Sequence, residues 1–203
     1  MYIIYNNQTL NDSLIVSFNN QLVTEQQNIN DDVVLLKAHN ELVGINIFHA
    51  SQYFSELVEG FLEPAEQFID ELQKITNLSF NTENIQYFKV GQIISFEPIP
   101  NTHLNVCQVS VDEQTLQIVC GAKNVRQGML TVVAQINQMM PNGMYIVASK
   151  LMGVTSSGML CSQKELRVEG FNDEGIIDLD PQTYHVNDIC HFVYANMKEK
   201  THA

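Results

Sequence analysis

From Tyr2 to Phe48 the apolar positions come in short bursts rich in β-branched and aromatic residues. Tyr2-Ile3-Ile4-Tyr5, Leu14-Ile15-Val16-Ser17-Phe18, Asp32-Val33-Val34-Leu35-Leu36-Lys37 and Glu41-Leu42-Val43-Gly44-Ile45-Asn46-Ile47-Phe48 predict four strands. Asn6-Asn7, Asn19-Asn20, Asn30-Asp31 and His39-Asn40 punctuate them. Asparagine suits such points because it tolerates left-handed backbone and bonds its own main chain. The short gap at His39-Asn40 predicts a hairpin. From about Ser51 the period changes. Ala65, Phe68, Ile69, Leu72 and Ile75 share one helical face, behind a proline that the first helical position tolerates. A helix is predicted over Pro64–Ile75, with a shorter one over about Ser51–Val58 before it. Ser79 to Gln86 is polar and breaks the periodicity. It sets the expected boundary between a strand-and-helix domain at 1–84 and a second domain at 88–197.

Past that boundary the pattern returns to short strands: Val90–Phe96, Asn105–Val111, Leu116–Cys120, Thr131–Ala134 and Met144–Ala148. Five strands, with a longer excursion between the third and fourth, fit a Greek-key barrel of the oligonucleotide/oligosaccharide-binding (OB) type. Closure removes the free edges that would otherwise invite pairing with other chains. The fold class expected is therefore α+β, a C-terminal five-stranded OB-fold barrel preceded by a small mixed domain.

Charge changes this picture. The chain carries a net −13, and residues 1–87 hold twelve acidic side chains against two basic ones, Lys37 and Lys74. Residues 88–203 hold eleven against eight, so any nucleic-acid surface belongs in the second half. No apolar run approaches the roughly 18 residues that span a bilayer. Met1–Asn7 lacks the basic start and cleavage site of a signal peptide and reads as a first strand. The expected location is cytoplasmic, with no membrane partner. Cys107, Cys120, Cys161 and Cys190 form no CxxC pair, and free buried thiols are the expected state. A nucleophile–base pair built from Cys120 or Cys161 with His103, His185 or His191 is the enzyme reading, but those thiols sit in apolar runs where they are normally inert. The chain is read as non-catalytic. His39, His49, His103, His185, His191 and His202 show no ligand spacing, and no metal or cofactor is expected. His202 follows Lys198-Glu199-Lys200 in a tail read as frayed.

Blocks of the second half carry a resemblance. They are Val90-Gly91-Gln92-Ile93, Pro100-Asn101, Val106–Val109, Gln117–Val125, Lys150-Leu151-Met152-Gly153-Val154 and Ser156-Ser157-Gly158-Met159-Leu160-Cys161-Ser162. In this order they resemble the stand-alone bacterial tRNA-binding domain, a module also fused to the β subunit of phenylalanyl-tRNA synthetase and to methionyl-tRNA synthetase. The similarity spans about 88 to 195. With a domain of about eighty residues ahead of it, the layout looks most like YtpR-type proteins of Gram-positive bacteria. The resemblance implies a protein that recognises the shape of tRNA without aminoacylating it, commonly as a homodimer; an acidic chain whose barrel has lost cations also admits an aminoacyl-tRNA synthetase as a partner.

A barrel rim that binds structured RNA needs small hydroxyls and amides near phosphates, a few cations, and side chains that lie on riboses or bases. The residues expected to serve are Asn101, Lys123, Asn124, Arg126, Lys150, Ser156, Met159 and Ser162. Several have a plainer reading. Met159 stands either on a base or in a buried strand, and Asn124 either contacts RNA or bonds its own turn. Lys150 is either a phosphate contact or solvated surface, and Gly153 and Gly158 either approach a ligand or shape a turn. Pro100-Asn101-Thr102-His103-Leu104 is one residue shorter than the related loops and lacks their acid and lysine, while Met152 stands where many have arginine. Affinity for phosphates scales with the charges neutralised, so weaker or more salt-sensitive binding is expected. His103 can restore some charge below neutral pH. The alternative function is a protein-interaction or dimerisation module associated with translation, without strong RNA affinity.

Overall fold

A computed structural model describes residues 1–55, 57–82, 85–172 and 174–195. The chain divides into two compact units, one holding residues 1–85 together with Tyr194 and Ala195, the other holding 86–193. The Lys198–Lys200 tail and His202 lie outside the described residues.

In the first unit six strands form an antiparallel sheet: β1 (Tyr2–Asn6), β2 (Ser13–Ser17), β3 (Glu25–Asn28), β4 (Val33–Ala38), β5 (Glu41–Ile47) and β6 (Gly60–Phe61), in the order β3-β4-β5-β2-β1-β6. Period-2 alternation carries the burial: Ile3 and Tyr5 of β1, Leu14 and Val16 of β2, and Val33 and Leu35 of β4 all point into one core. His39 and Asn40 turn the β4–β5 hairpin with φ of 50° and 70°. Two successive left-handed residues match the twist of the flanking strands. Helix α1 (Glu66–Thr76) covers the core with Phe68, Ile69 and Leu72, and Phe54 stacks on Phe68 at 4.9 Å between ring centroids. Ala195 returns to this unit, where its amide donates to the Phe61 carbonyl at 2.7 Å.

The helix expected over Ser51–Val58 is not formed. One 3₁₀ turn, Ala50–Gln52, stands at its start, and Glu56 lies outside the described residues. The Asp12 carboxylate accepts from both the Ser51 amide and hydroxyl, at 3.1 and 2.7 Å. The core takes Phe54, and the chain then straightens to pair Gly60 and Phe61 with β1. Tertiary pairing overrides the local helical spacing.

The second unit is the five-stranded barrel: β7 (Lys89–Pro98), β8 (Asn105–Val111), β9 (Gln114–Cys120), β10 (Leu130–Gln135) and β13 (Gly158–Leu160), in the order β13-β10-β7-β8-β9. Closure runs between β9 and the approach to β13. There Ser157 donates its amide to the Gln117 carbonyl at 2.8 Å, and the Val119 amide donates to the buried Ser156 hydroxyl at 3.0 Å. Ile93, Cys107, Val109, Ile118, Val133 and Leu160 fill the interior. A small hairpin, β11 (Ser149–Leu151) with β12 (Val154–Ser156), precedes β13, and one helical turn, α2 (Gln163–Leu166), follows it.

The fifth strand is therefore not Met144–Ala148. That segment belongs to a compact excursion in which Met140 donates to the Met144 carbonyl and Ile146 to the Gln138 carbonyl, both at 2.8 Å, with Ile146 buried. The barrel takes Gly158–Leu160 instead, because only a residue without Cβ fits at the start of that strand. Gly158 has φ of 148°, and a Cβ there would stand 2.8 Å from the Ala134 carbonyl oxygen. Among the described residues no helix is long and apolar enough to cross a membrane.

Candidate nucleic-acid interface

After Cys120 the chain leaves β9 through Gly121-Ala122-Lys123-Asn124. Opposite lie Met159 and Leu160 of β13, the start of α2 and the loop at 174–176. Together they enclose an open cleft of about 780 Å³. Its walls are braced by short side chains. Asn124 donates its amide to the Ile176 carbonyl at 2.7 Å and accepts from the Ile176 amide at 3.1 Å, so one side chain replaces a strand partner for the loop. Gly175 (φ 81°) is required where they meet, since a Cβ would fall 2.1 Å from the Asn124 carbonyl oxygen. Asn172 holds the same loop by donating to the carbonyls of Glu174 and Ile176. On the other wall Ser162 caps α2: the Glu165 carboxylate accepts from both its amide and its hydroxyl at 2.7 Å, and its oxygen receives the Glu165 amide at 3.4 Å.

The electrostatics separate spent cations from free ones. Arg126 is locked in a two-bond pair with Asp178 at 2.8 Å, Lys89 pairs with Asp112, and Lys74 with Glu71. Lys123, Lys150, Lys164 and Arg167 have no acidic partner among the described residues. Lys123 and Lys164 line the cleft, Lys150 sits on the β11–β12 hairpin, and Arg167 closes α2 in the left-handed region. Cys120 also lines the cleft, and burial raises its thiol pKa. Burial pushes Cys107 and Cys190 up to about 12 and raises Cys161 as well. A thiol raised in this way offers almost no thiolate near neutral pH.

Residues 88–187 match the family described as "Putative tRNA binding domain", and residues 20–83 match a domain of unknown function, DUF4479. Across nearly its whole length the chain is similar to "Putative tRNA-binding protein YtpR" of Bacillus subtilis (strain 168). The two are 39% identical over 188 residues, covering 87% of this chain and 92% of that protein. The chain belongs to the YtpR family. It is also 33% identical over 190 residues to "Uncharacterized protein MG449" of Mycoplasma genitalium, covering 89% of this chain and 83% of that protein. The match to the phenylalanine–tRNA ligase beta subunit of Anaplasma marginale is 46% over 105 residues, which is half of this chain and 13% of that subunit.

Within this YtpR-family barrel, the cleft brings together Lys123, Asn124, Met159 and Ser162, but not Asn101, Arg126, Lys150 or Ser156. Asn124, Ser156 and Ser162 direct their polar atoms inward as braces. The Ser156 hydroxyl accepts from Val119 and donates to the Gly158 carbonyl at 3.2 Å. Asn101 sits exposed in the β7–β8 turn with φ of 60°. His103, from the same turn, lies against Gly121, 3.2 Å from where a Cβ would be. Met159 is half-buried and faces the cleft. Sequence reasoning passed over Lys164, Glu165 and Glu174. The Ser162-x-x-Glu165 spacing is a capping-box signature and would have placed the first two beside the motif.

Proposed function

We propose that this chain binds tRNA through the barrel face carrying Lys123, Lys150, Lys164 and Arg167, recognising its backbone and shape rather than an extended base sequence. The observation that carries the reading is the placement of these four cations between 123 and 167, none with an acidic partner among the described residues, on a chain of net charge −13. Family membership and the names of the related proteins point to the same ligand. The surface falls within the barrel unit, residues 86–193, and asks nothing of residues 1–84. Each lysine acts as a compact cation that displaces counterions from a phosphate, which makes the affinity steeply salt-dependent. The same proposal includes a cytoplasmic homodimer and an aminoacyl-tRNA synthetase as a protein partner, supported by exposed Val147, Leu151 and Met152 around the β11–β12 hairpin.

The test is a titration of the full chain with bulk tRNA across a salt series. Binding should weaken as salt rises. Lys123→Glu with Lys164→Glu should lower the affinity and reduce the log–log salt slope by about 1 per phosphate contact removed. Absence of binding at about 50 mM salt, where phosphate contacts are strongest, overturns the RNA reading in favour of a protein-interaction module. Sedimentation of the same preparation decides the dimer.

A further inference from the structure

We infer that the cleft beside Lys123 and Lys164 holds one unstacked guanine ribonucleotide, with Glu174 reading the base. This deepens the tRNA-binding reading and rests on it for the source of that nucleotide.

Shape is the first argument. Contact with phosphates along an RNA backbone needs only a convex or flat cationic surface. Here the small polar residues of the loops are consumed in building a concavity: Asn124 ties down Ile176, Asn172 ties down Glu174, and Ser162 and Glu165 fix each other. The resulting cleft of about 780 Å³ is pre-formed, and it lies in the range of roughly 300–1,000 Å³ typical of pockets for small organic ligands.

Its chemistry is mixed in a specific way. Lys123 and Lys164 suit an anion, but Glu165 and Glu174 line the same space, and carboxylates would repel a row of phosphates. A ligand that is anionic at one end and rich in N–H donors at the other satisfies both pairs. A nucleotide is such a ligand. One Glu165 oxygen is already committed to the Ser162 amide and hydroxyl, whereas the Glu174 carboxylate has no hydrogen-bond partner among the described residues. Two free, parallel acceptor oxygens match the adjacent N1–H and N2–H of guanine. Adenine and cytosine offer a single amino group beside an acceptor nitrogen, and uracil offers one N–H between two carbonyls. Unstacked bases in RNA are commonly read on this edge. Met159 supplies a half-buried thioether wall for the base face.

The test uses the full chain, ¹⁵N-labelled, titrated with the 5′-monophosphates of guanosine, adenosine, cytidine and uridine. The amide resonances of Gly121, Lys123, Gly175 and Ile176 report the cleft. A parallel titration uses bulk tRNA. Guanosine monophosphate should move these amides at a concentration about tenfold or more below that needed for uridine monophosphate, the discrimination expected of a two-bond base contact. Glu174→Gln should erase that preference, because its amide turns one acceptor into a donor. Met159→Ala should instead weaken all four nucleotides by a similar factor. If the cleft amides ignore the nucleotides or respond to all four alike while tRNA still binds, the guanine pocket is overturned and the RNA reading stands. If the guanine preference holds but tRNA does not bind, the pocket serves the free nucleotide and the RNA reading falls. If neither binds, both fall.

Discussion

Asn124 spends both ends of its amide on one backbone residue, Ile176, whose carbonyl also accepts from Asn172. Losing that brace strands the Ile176 amide, while Asn172 still donates to the Ile176 carbonyl, and a buried donor left unpaired costs about 1–3 kcal/mol. Asn124→Ala should lower the urea midpoint accordingly with the m-value unchanged, and should weaken nucleotide or tRNA binding by loosening the cleft wall. The four thiols behave in the opposite manner, since each is stable only while neutral. Burial raises Cys107 and Cys190 to about 12. A thiol whose pKa is higher folded than unfolded holds its proton in the native state while the unfolded chain releases it. The stability this provides is complete below the unfolded value of about 8.5 and drains away as pH climbs toward 12. Unfolding midpoints should therefore fall steadily above about pH 9. Cys107→Ala and Cys190→Ala should flatten that fall while costing stability at pH 7 through the cavities they leave. Aromatic disulfide reagents should label native protein slowly at pH 8 and all four cysteines quickly in denaturant.

At the scale of elements, β13 closes the barrel with three residues and begins at a position, Gly158, where a side chain cannot be accommodated. Gly158→Ala should cost about 2 kcal/mol or more, from a left-handed backbone together with a Cβ driven into the Ala134 carbonyl. Thermal unfolding would show it, and Gly153→Ala, where no atom lies within 4 Å of the added carbon, should cost less. The same strand shows why part of this fold could not be read in advance. β1, β2, β4 and β5 bury one face each, so their alternation is written into the sequence, and α1 announces itself through Phe68, Ile69 and Leu72. β13 is too short to display a period. β3 is Glu25-Gln26-Gln27-Asn28, fully exposed at the sheet edge with no apolar signal to read. Met144–Ala148 carries an apolar run because Ile146 plugs the core from an irregular excursion. The cleft follows the same logic. Lys123, Asn124, Met159 and Ser162 stand in blocks that resemble a known module, whereas Glu174 reaches the cleft only because Asn124 captures a loop some fifty positions later, a tertiary event with no local signature.

For the whole molecule, charge and synthesis order matter most. Residues 1–85 carry twelve acidic side chains and two basic ones, a field that opposes the approach of any polyanion. A chain comprising 86–193 should bind tRNA more tightly than the full protein at about 50 mM salt, with the difference shrinking by about 0.3 M as screening shortens the reach of that field. Equal affinity at both salts would show that the acidic unit has no influence on docking. The ordering of the barrel strands has a second consequence, for the birth of the protein. Four of its strands, β7 to β10, are complete by Gln135, but β13 arrives only at Gly158–Leu160. A ribosome translating this message must add more than twenty residues while it holds an unclosed sheet with β9 and β10 unpaired along their outer edges. That interval is when neighbouring nascent chains can add strands to one another. Messages cut short before codon 158 would fix the interval permanently, and their products should accumulate as edge-paired aggregates rather than as small soluble domains.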